Sequence, residues 1–120
     1  MISVWRIEKS EYLKTFLTGE GAKLYGGRWN NKGTPVVYTS ESIALAAWEK
    51  YIHVNRTQKG VIPLAAVDLN LVKIMIPEDI EIVDITKFPR DWKKDLAYSK
   101  DIGSNWAISK KTIALKVPSI

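Results

Sequence analysis

The chain has 120 residues, 46% hydrophobic and 26% charged, a balance typical of a globular protein large enough to bury a core. It has no cysteine and one histidine, which excludes disulfides, thiolate metal sites and cysteine nucleophiles and leaves too few imidazoles for a histidine metal cluster. The net charge of +5 favours anionic partners, although the basic residues are dispersed rather than clustered as in nucleic-acid-binding tails.

Nothing in the sequence points to a membrane or to export. No apolar run approaches the roughly 18 residues that a membrane span requires. The first apolar residues are followed too soon by Glu8 and Lys9 to form a signal peptide. Together with the lack of cysteine, these features predict a cytoplasmic protein that makes no contact with a membrane.

The chain opens with an alternating segment, residues 2–7, that predicts a strand with Arg6 at its middle. Ser10 is placed to cap a short helix over residues 10–17. Residues 18–33 are rich in glycine and predict a long loop. Loops of that length in a small domain are usually functional or disordered, so this one is a candidate for binding.

A strand and an amphipathic helix are predicted after the loop. The β-branched and aromatic run VVYTS predicts the strand, residues 36–40. Ser40 is a candidate N-cap for a helix that runs to about Asn55, with Glu49 at the border of its apolar stripe. The predicted apolar stripe consists of Ala44, Leu45, Trp48, Tyr51 and Ile52.

The second half predicts three strands, a helix and a last strand. The three strands cover residues 61–70, 72–76 and 80–85. The helix covers residues 91–111, with a weak point at Gly103, and the last strand covers residues 112–119. This order predicts an α+β fold, with a mixed or antiparallel sheet and flanking helices, rather than a regular βαβ repeat.

The familiar catalytic motifs are absent from the sequence, including a P-loop, a dinucleotide-binding glycine motif, HExxH and GxSxG. A site must therefore be built from arginine, tyrosine, glutamate, serine and main chain. Such a set can bind phosphate, stack on a ring and stabilise a developing positive charge, but it lacks a nucleophile activated by histidine.

The strongest candidate for anion binding is the segment GGRWN. Gly26 and Gly27 permit close approach of a ligand to the main chain, and Arg28 offers a planar charged fork suited to phosphate. The alternative is that Arg28 is an ordinary surface arginine. Trp29 fits best as a packing anchor that orders the loop.

Three further residues each have a structural and a functional interpretation. Arg6 either lies at a sheet edge with its charge in water or requires an anionic partner among apolar neighbours. Tyr38 is either a core aromatic or a ring that stacks on a nucleobase or nicotinamide. Glu49 is either a helix border residue or, with His53 one turn later, part of shared site chemistry.

The order of these segments resembles the RES domain, a family of toxins from bacterial toxin–antitoxin modules named for its characteristic Arg, Glu and Ser. The resemblance runs from VWRI through GGRWNNKGTPVVYTSES and ALAAWE to LKVPS. It implies an ADP-ribosyltransferase-like fold and cleavage of the nicotinamide–ribose bond of NAD, as an NAD phosphorylase or glycohydrolase. NAD is then the substrate, inorganic phosphate a potential co-substrate, and no cofactor or metal is expected.

The resemblance also assigns roles to positions of this sequence. It implies Glu49, Arg28 and Tyr38 as catalytic residues. It implies a substrate-binding set of Arg6, Gly26, Gly27, Arg28, Tyr38 and Ser119. Family members usually continue for some tens of residues past the serine strand, whereas this chain ends at Ile120, so we expect one RES-like domain over residues 1–120 without that segment.

The family's usual partner is a helix-turn-helix antitoxin of the Xre type that blocks the site, and the sequence leaves a homodimer open. The spacing of the aromatic residues argues against direct nucleic-acid binding. Two alternatives remain at this point: a nucleic-acid-binding or RNA-cleaving toxin, favoured by the +5 charge, and a catalytically inactive protein-binding module.

Overall fold

A computed structural model of the chain describes residues 2–56, 68–77, 82–85 and 96–118. These residues form four strands and three α-helices in two compact units. The first unit combines residues 1–16 with residues 38–77, and the second combines residues 17–37 with residues 78–120. In chain order the elements are β1 (Ile2–Lys9), α1 (Glu20–Tyr25), α2 (Ile43–Arg56), β2 (Leu69–Ile76), β3 (Ile82–Asp84), α3 (Leu96–Ser109) and β4 (Ala114–Lys116).

The first unit is built around β1. Its partner β2 runs antiparallel, in a register that pairs Ile2 with Ile76 and Lys9 with Leu69. In addition, Trp5 and Ser40 exchange two backbone hydrogen bonds of 2.7 and 2.8 Å in an isolated bridge. Because neighbouring strands bond to opposite edges, β1 is flanked by β2 and by the main chain around Ser40.

Helix α2 packs against β1. Ser42 caps the helix, since its Oγ accepts a 3.1 Å hydrogen bond from the Leu45 N–H at the third helical position. Ala46 is buried, with 6% of its surface exposed, whereas Trp48 is 56% exposed. The face that α2 buries is therefore not the predicted stripe around Trp48.

In the second unit, β3 and β4 pair in parallel and α3 packs on the loop after α1. The buried residues of α3 all have small side chains or none: Ser99, Gly103 and Ser104. A Cβ at Gly103 would lie 1.7 Å from the Trp29 carbonyl oxygen. Only glycine therefore allows this approach of helix and loop.

The α+β prediction is confirmed, with one antiparallel and one parallel strand pair among the described residues. No helix in the described ranges is long and apolar enough to span a membrane. The expectation of one domain over residues 1–120 stays a prediction.

Several local predictions were wrong. Residues 36–40 contribute one bridge instead of a strand, and residues 10–17 form two 3₁₀ turns, Ser10–Tyr12 and Phe16–Thr18, instead of a helix. The predicted loop over residues 18–33 contains α1, and Gly103 lies inside an unbroken helix. The described parts of the predicted strands 61–70 and 72–76 form one strand, β2, which continues through Leu71. Residues 57–67, 78–81, 86–95 and 119–120 lie outside the described residues.

Candidate functional site

The predicted site residues fall in both units. Arg6, Tyr38 and Glu49 belong to the first unit. Gly26, Gly27 and Arg28 belong to the second unit. Ser119 lies outside the described residues, so its predicted role is not tested. Arg6 and the main chain of Tyr38 are in direct contact.

Arg6 is held on two sides. Its Nε and Nη2 atoms both lie 2.7 Å from Oε2 of Glu8, in a charge-assisted contact. Its Nη1 donates a 2.8 Å hydrogen bond to the carbonyl oxygen of Tyr38. The guanidinium carbon also lies 5.8 Å from the centre of the Phe16 ring. All three guanidinium nitrogens thus have partners inside the first unit.

Glu8 is the functional candidate that the sequence analysis missed. Only 4% of its surface is exposed, and its Oε1 accepts a 3.1 Å hydrogen bond from the Lys9 N–H. The predicted strand ended at Ile7, two residues before the end of β1 at Lys9. Since residues two apart in a strand share a face, extending the strand to Lys9 would have placed Glu8 beside Arg6.

A third charged side chain completes this cluster. Lys50 on α2 is partly buried, and burial lowers its pKa below the ordinary value of 10.5. The Glu8 carboxylate opposes this shift, while the charges of Arg6 and Lys9 reinforce it. Helix α2 therefore turns a charged residue toward β1, which is unusual for a packed helix face.

Tyr38 and Glu49 are both half-buried. The main chain at Tyr38 is fixed by Arg6 and, two residues later, by the bridge between Ser40 and Trp5. Glu49 lies on α2 one turn after the buried Ala46. This arrangement presents a tyrosine and a carboxylate from rigidly held backbone.

The glycine pair in the second unit forms a tight turn. Gly26 ends α1 with φ 72°, and its N–H donates a 2.8 Å hydrogen bond to the Ala22 carbonyl. The Gly27 N–H then bonds the Asn30 carbonyl at 3.1 Å, which closes the turn over residues 27–30. Arg28 lies at a corner of that turn, where its backbone is well defined.

Helix α3 anchors the turn. The Ser99 Oγ donates a 2.6 Å hydrogen bond to the Arg28 carbonyl, and the Asn31 N–H donates one of 2.8 Å to the Ser104 Oγ. Trp29 is 5% exposed, which confirms its predicted role as a packing anchor. The turn is thus positioned independently of any ligand.

Asn30 makes the loop rigid from inside. It is fully buried, and its Nδ2 lies within 2.8 to 3.2 Å of the carbonyl oxygens of Ala22, Asn31 and Thr34. A buried amide satisfied in this way orders its surroundings. The loop that carries Arg28 is therefore a structured part of the second unit.

A metal centre finds no support in the described part of the chain, where no three His, Asp or Glu side chains group as ligands. The second unit has an open cavity of about 490 Å³ between Pro35, Val36 and the end of α3 near Trp106 and Lys110. None of the predicted site residues lines it. The chemistry implied by Arg28, Tyr38 and Glu49 therefore does not depend on that cavity.

Comparisons with known proteins identify what the chain is similar to. A family model described as the RES domain matches residues 3–120. A protein named Toxin Res from Photorhabdus laumondii is 39% identical over 97% of this chain and 72% of its own length. The Prs ADP-ribosylating toxin from Sphingobium is 37% identical over 98% of this chain and 74% of its own length. A Toxin Res from Yersinia enterocolitica is 33% identical over 97% and 74%, respectively.

Proposed function

This chain belongs to the RES domain family, and on that premise we propose that it is a toxin that consumes NAD by breaking the nicotinamide–ribose bond. The observation that carries the proposal is the match over residues 3–120 together with a relative named as an ADP-ribosylating toxin. That name also agrees with the ADP-ribosyltransferase-like class of the α+β fold.

The proposed reaction passes through a cationic ribose. Nicotinamide leaves as a neutral molecule with the electron pair of the broken bond, so the step needs no strong general acid. A phosphate or water oxygen then bonds to the ribose carbon, and the water loses a proton. A carboxylate close to the ribose lowers the energy of such a transition state.

Each role falls to a residue of matching chemistry. Glu49 supplies the carboxylate that stabilises the cationic ribose. Tyr38 stacks on the nicotinamide ring, supported by a main chain that Arg6 holds at 2.8 Å. Arg28 binds phosphate, supported by a turn that Ser99 and Asn30 keep in place. Gly26 and Gly27 allow the ligand close to the backbone, and Ser119 remains a proposed substrate contact.

We also propose the setting in which the toxin acts. It works in the cytoplasm without a cofactor, and a cognate Xre-type helix-turn-helix antitoxin blocks it. The +5 net charge suits an acidic surface on such a partner. A homodimer is compatible with this function.

Release of free nicotinamide from NAD tests the proposed reaction. We expect the purified chain to release it, faster with phosphate if phosphate is the acceptor. Glu49→Gln and Arg28→Gln should each lose on the order of 10² or more in rate, because both remove charge that acts in the transition state.

Glu41→Gln is the matched control, since Glu41 is an exposed carboxylate just before α2. It should keep the full rate. Absence of nicotinamide release from the unchanged, folded protein would refute the proposed enzyme activity for this chain.

The Sphingobium relative favours a second acceptor, because its name describes ADP-ribosylation. In that case the ADP-ribosyl group is transferred to a macromolecule: a nucleophilic atom of that acceptor bonds to the ribose carbon and loses its proton, while nicotinamide leaves. Labelled NAD incubated with a cell extract distinguishes the two: label on a protein band supports transfer, whereas nicotinamide release without labelled protein supports phosphate or water.

A further inference from the structure

We propose that Glu8 is a positioning residue of the NAD site: its carboxylate holds Arg6, and Arg6 in turn fixes the main chain at Tyr38. The proposal rests on the proposed function, because it concerns the residue that stacks on nicotinamide. It assigns a role to a buried charge that the site chemistry does not otherwise use.

The carboxylate of Glu8 is built into the first unit. Its side chain is 5% exposed, and a charge that deeply buried needs compensation. The compensation comes from Arg6 Nε and Nη2, both at 2.7 Å from one oxygen, and from the Lys9 N–H at 3.1 Å on the other. Glu8 is thus a fixed anion that dictates where the guanidinium lies.

Arg6 transmits this position to Tyr38. Two of its nitrogens face Glu8, and the third donates to the Tyr38 carbonyl at 2.8 Å. A guanidinium held in this way is a cross-link between β1 and the neighbouring main chain. In this proposal its contribution to the site is position, whereas the prediction that Arg6 contacts the substrate directly stays a prediction.

The main chain around Tyr38 depends on this cross-link because it is not part of a regular strand. Its pairing with β1 is the bridge between Trp5 and Ser40, two residues further on. The Arg6 bond is a second point of attachment, at Tyr38 itself. Losing it removes one attachment of the Tyr38 main chain, which gives the ring more freedom.

The surrounding charges make Glu8 indispensable to this geometry. Lys50 and Lys9 both interact electrostatically with the same cluster as Arg6. Without the Glu8 charge, Arg6, Lys9 and Lys50 lose the carboxylate that offsets their mutual repulsion. Their repulsion drives the guanidinium away from its present position.

Glu8→Gln is the test, because it removes the charge and keeps the shape. We expect kcat for nicotinamide release to fall by about 10- to 100-fold while KM changes less than about threefold, since a misplaced ring affects the reacting geometry more than binding. Glu11→Gln is the matched control, an exposed carboxylate three residues away. It should leave both constants unchanged.

A double variant separates positioning by Glu8 from direct substrate binding by Arg6. If Glu8 acts through Arg6, then Arg6→Gln combined with Glu8→Gln loses no more activity than the worse single variant. If the two fold-losses in activity multiply in the double variant, the proposal is overturned. It is also overturned if Glu8→Gln leaves kcat unchanged.

A measurement without substrate tests the contact between Arg6 and Glu8 independently of the proposed reaction. In the unchanged protein the Arg6 Nε–H should give a resolved NMR signal in slow exchange with water, because Glu8 buries and bonds it. Glu8→Gln should speed that exchange at least tenfold while the amides of Trp5 and Ser40 stay protected.

Rapid exchange of the Arg6 Nε–H in the unchanged protein overturns the positioning role even if no variant folds. A slow Arg6 signal in a protein that never releases nicotinamide leaves the cross-link standing and refutes the proposed reaction instead. The two failures are therefore distinguishable.

Discussion

One residue in the charged cluster of Arg6, Glu8, Lys9 and Lys50 lowers the stability of the first unit. Lys50 occupies the α2 face that packs on β1, where burial lowers its pKa. Glu8 offsets that cost in part, and Arg6 and Lys9 increase it. A neutral side chain would be easier to bury at this position.

We therefore expect Lys50→Met to be more stable than the unchanged protein at pH 7. Because the folded-state pKa of Lys50 is lowered, the unfolded chain binds more protons between that pKa and 10.5. The unfolding free energy of the unchanged protein thus rises with pH through this window relative to the variant. Urea unfolding at several pH values from 7 to about 10.5 should show the stability difference shrinking.

Lys14→Met is the matched control for this experiment. It removes the same formal charge from an exposed position in the turn after β1, so it corrects for the change in net charge. A stability difference for Lys50→Met that stays constant from neutral to alkaline pH would contradict the assignment of a buried, charged Lys50.

At the scale of elements, the contact between α3 and the Arg28 turn depends on the absence of a side chain. At Gly103 an added Cβ would lie 1.7 Å from the Trp29 carbonyl oxygen, and that atom belongs to the backbone. We expect Gly103→Ala to destabilise the fold by about 2 kcal/mol or more, at the upper end of overpacking effects. Denaturant unfolding measures this directly.

Gly21→Ala supplies the control, since it is also a glycine in a helix but has nothing within 4 Å of an added Cβ. That substitution should stabilise by about 0.5–1 kcal/mol through the unfolded state and the helix propensity of alanine. Equal effects at the two glycines would show that propensity, rather than the close approach to Trp29, governs Gly103.

The sequence predicted the elements whose signal is local. The alternation of residues 2–7 and the helical periodicity after Ser40 correspond to β1 and α2. The prediction failed where pairing with another segment decides the secondary structure. Residues 36–40 have strand propensity, yet strand structure requires consecutive pairing, and the pairing with β1 is limited to Ser40.

The candidate site was predictable to a similar degree. Trp29 was recognised as an anchor, because a large aromatic beside glycines is usually buried. Glu8 was missed at a strand boundary, and the cap of α2 was placed at Ser40 although Ser42 makes the bond. Residue type alone does not fix the residue at which a strand ends. It also does not decide between two serines that both lie within capping distance of one helix.

At the scale of the whole molecule, the exposed aromatic residues reopen the question of nucleic acid. The spacing of the aromatic residues in the sequence argued against nucleic-acid binding, yet several of them are exposed. Trp48 is 56% exposed and stacks on Tyr51 with ring centres 5.8 Å apart. Further exposed aromatics are Tyr12, Tyr25 and Tyr98.

A net charge of +5 with exposed rings predicts weak, non-selective binding to single-stranded RNA at low salt. Because such binding releases counterions, it should fall by about tenfold or more between 50 and 200 mM salt. The kcat/KM for NAD should fall much less, since Arg28 is the one cation proposed to contact phosphate. Fluorescence anisotropy with a labelled mixed-sequence RNA, beside the nicotinamide assay in the same buffers, compares the two.

Trp48→Ala completes this test. If the protein binds RNA, the exposed Trp48 ring stacks on the bases. If the protein acts on NAD alone, the ring takes part neither in the reaction nor in the core. We expect the variant to keep its NAD turnover and to lose up to roughly tenfold in RNA affinity at low salt, the lower end of base-stacking effects. RNA binding that persists at 200 mM salt, prefers one sequence and collapses in Trp48→Ala would instead make nucleic acid the target, since neither charge nor non-selective stacking explains such behaviour.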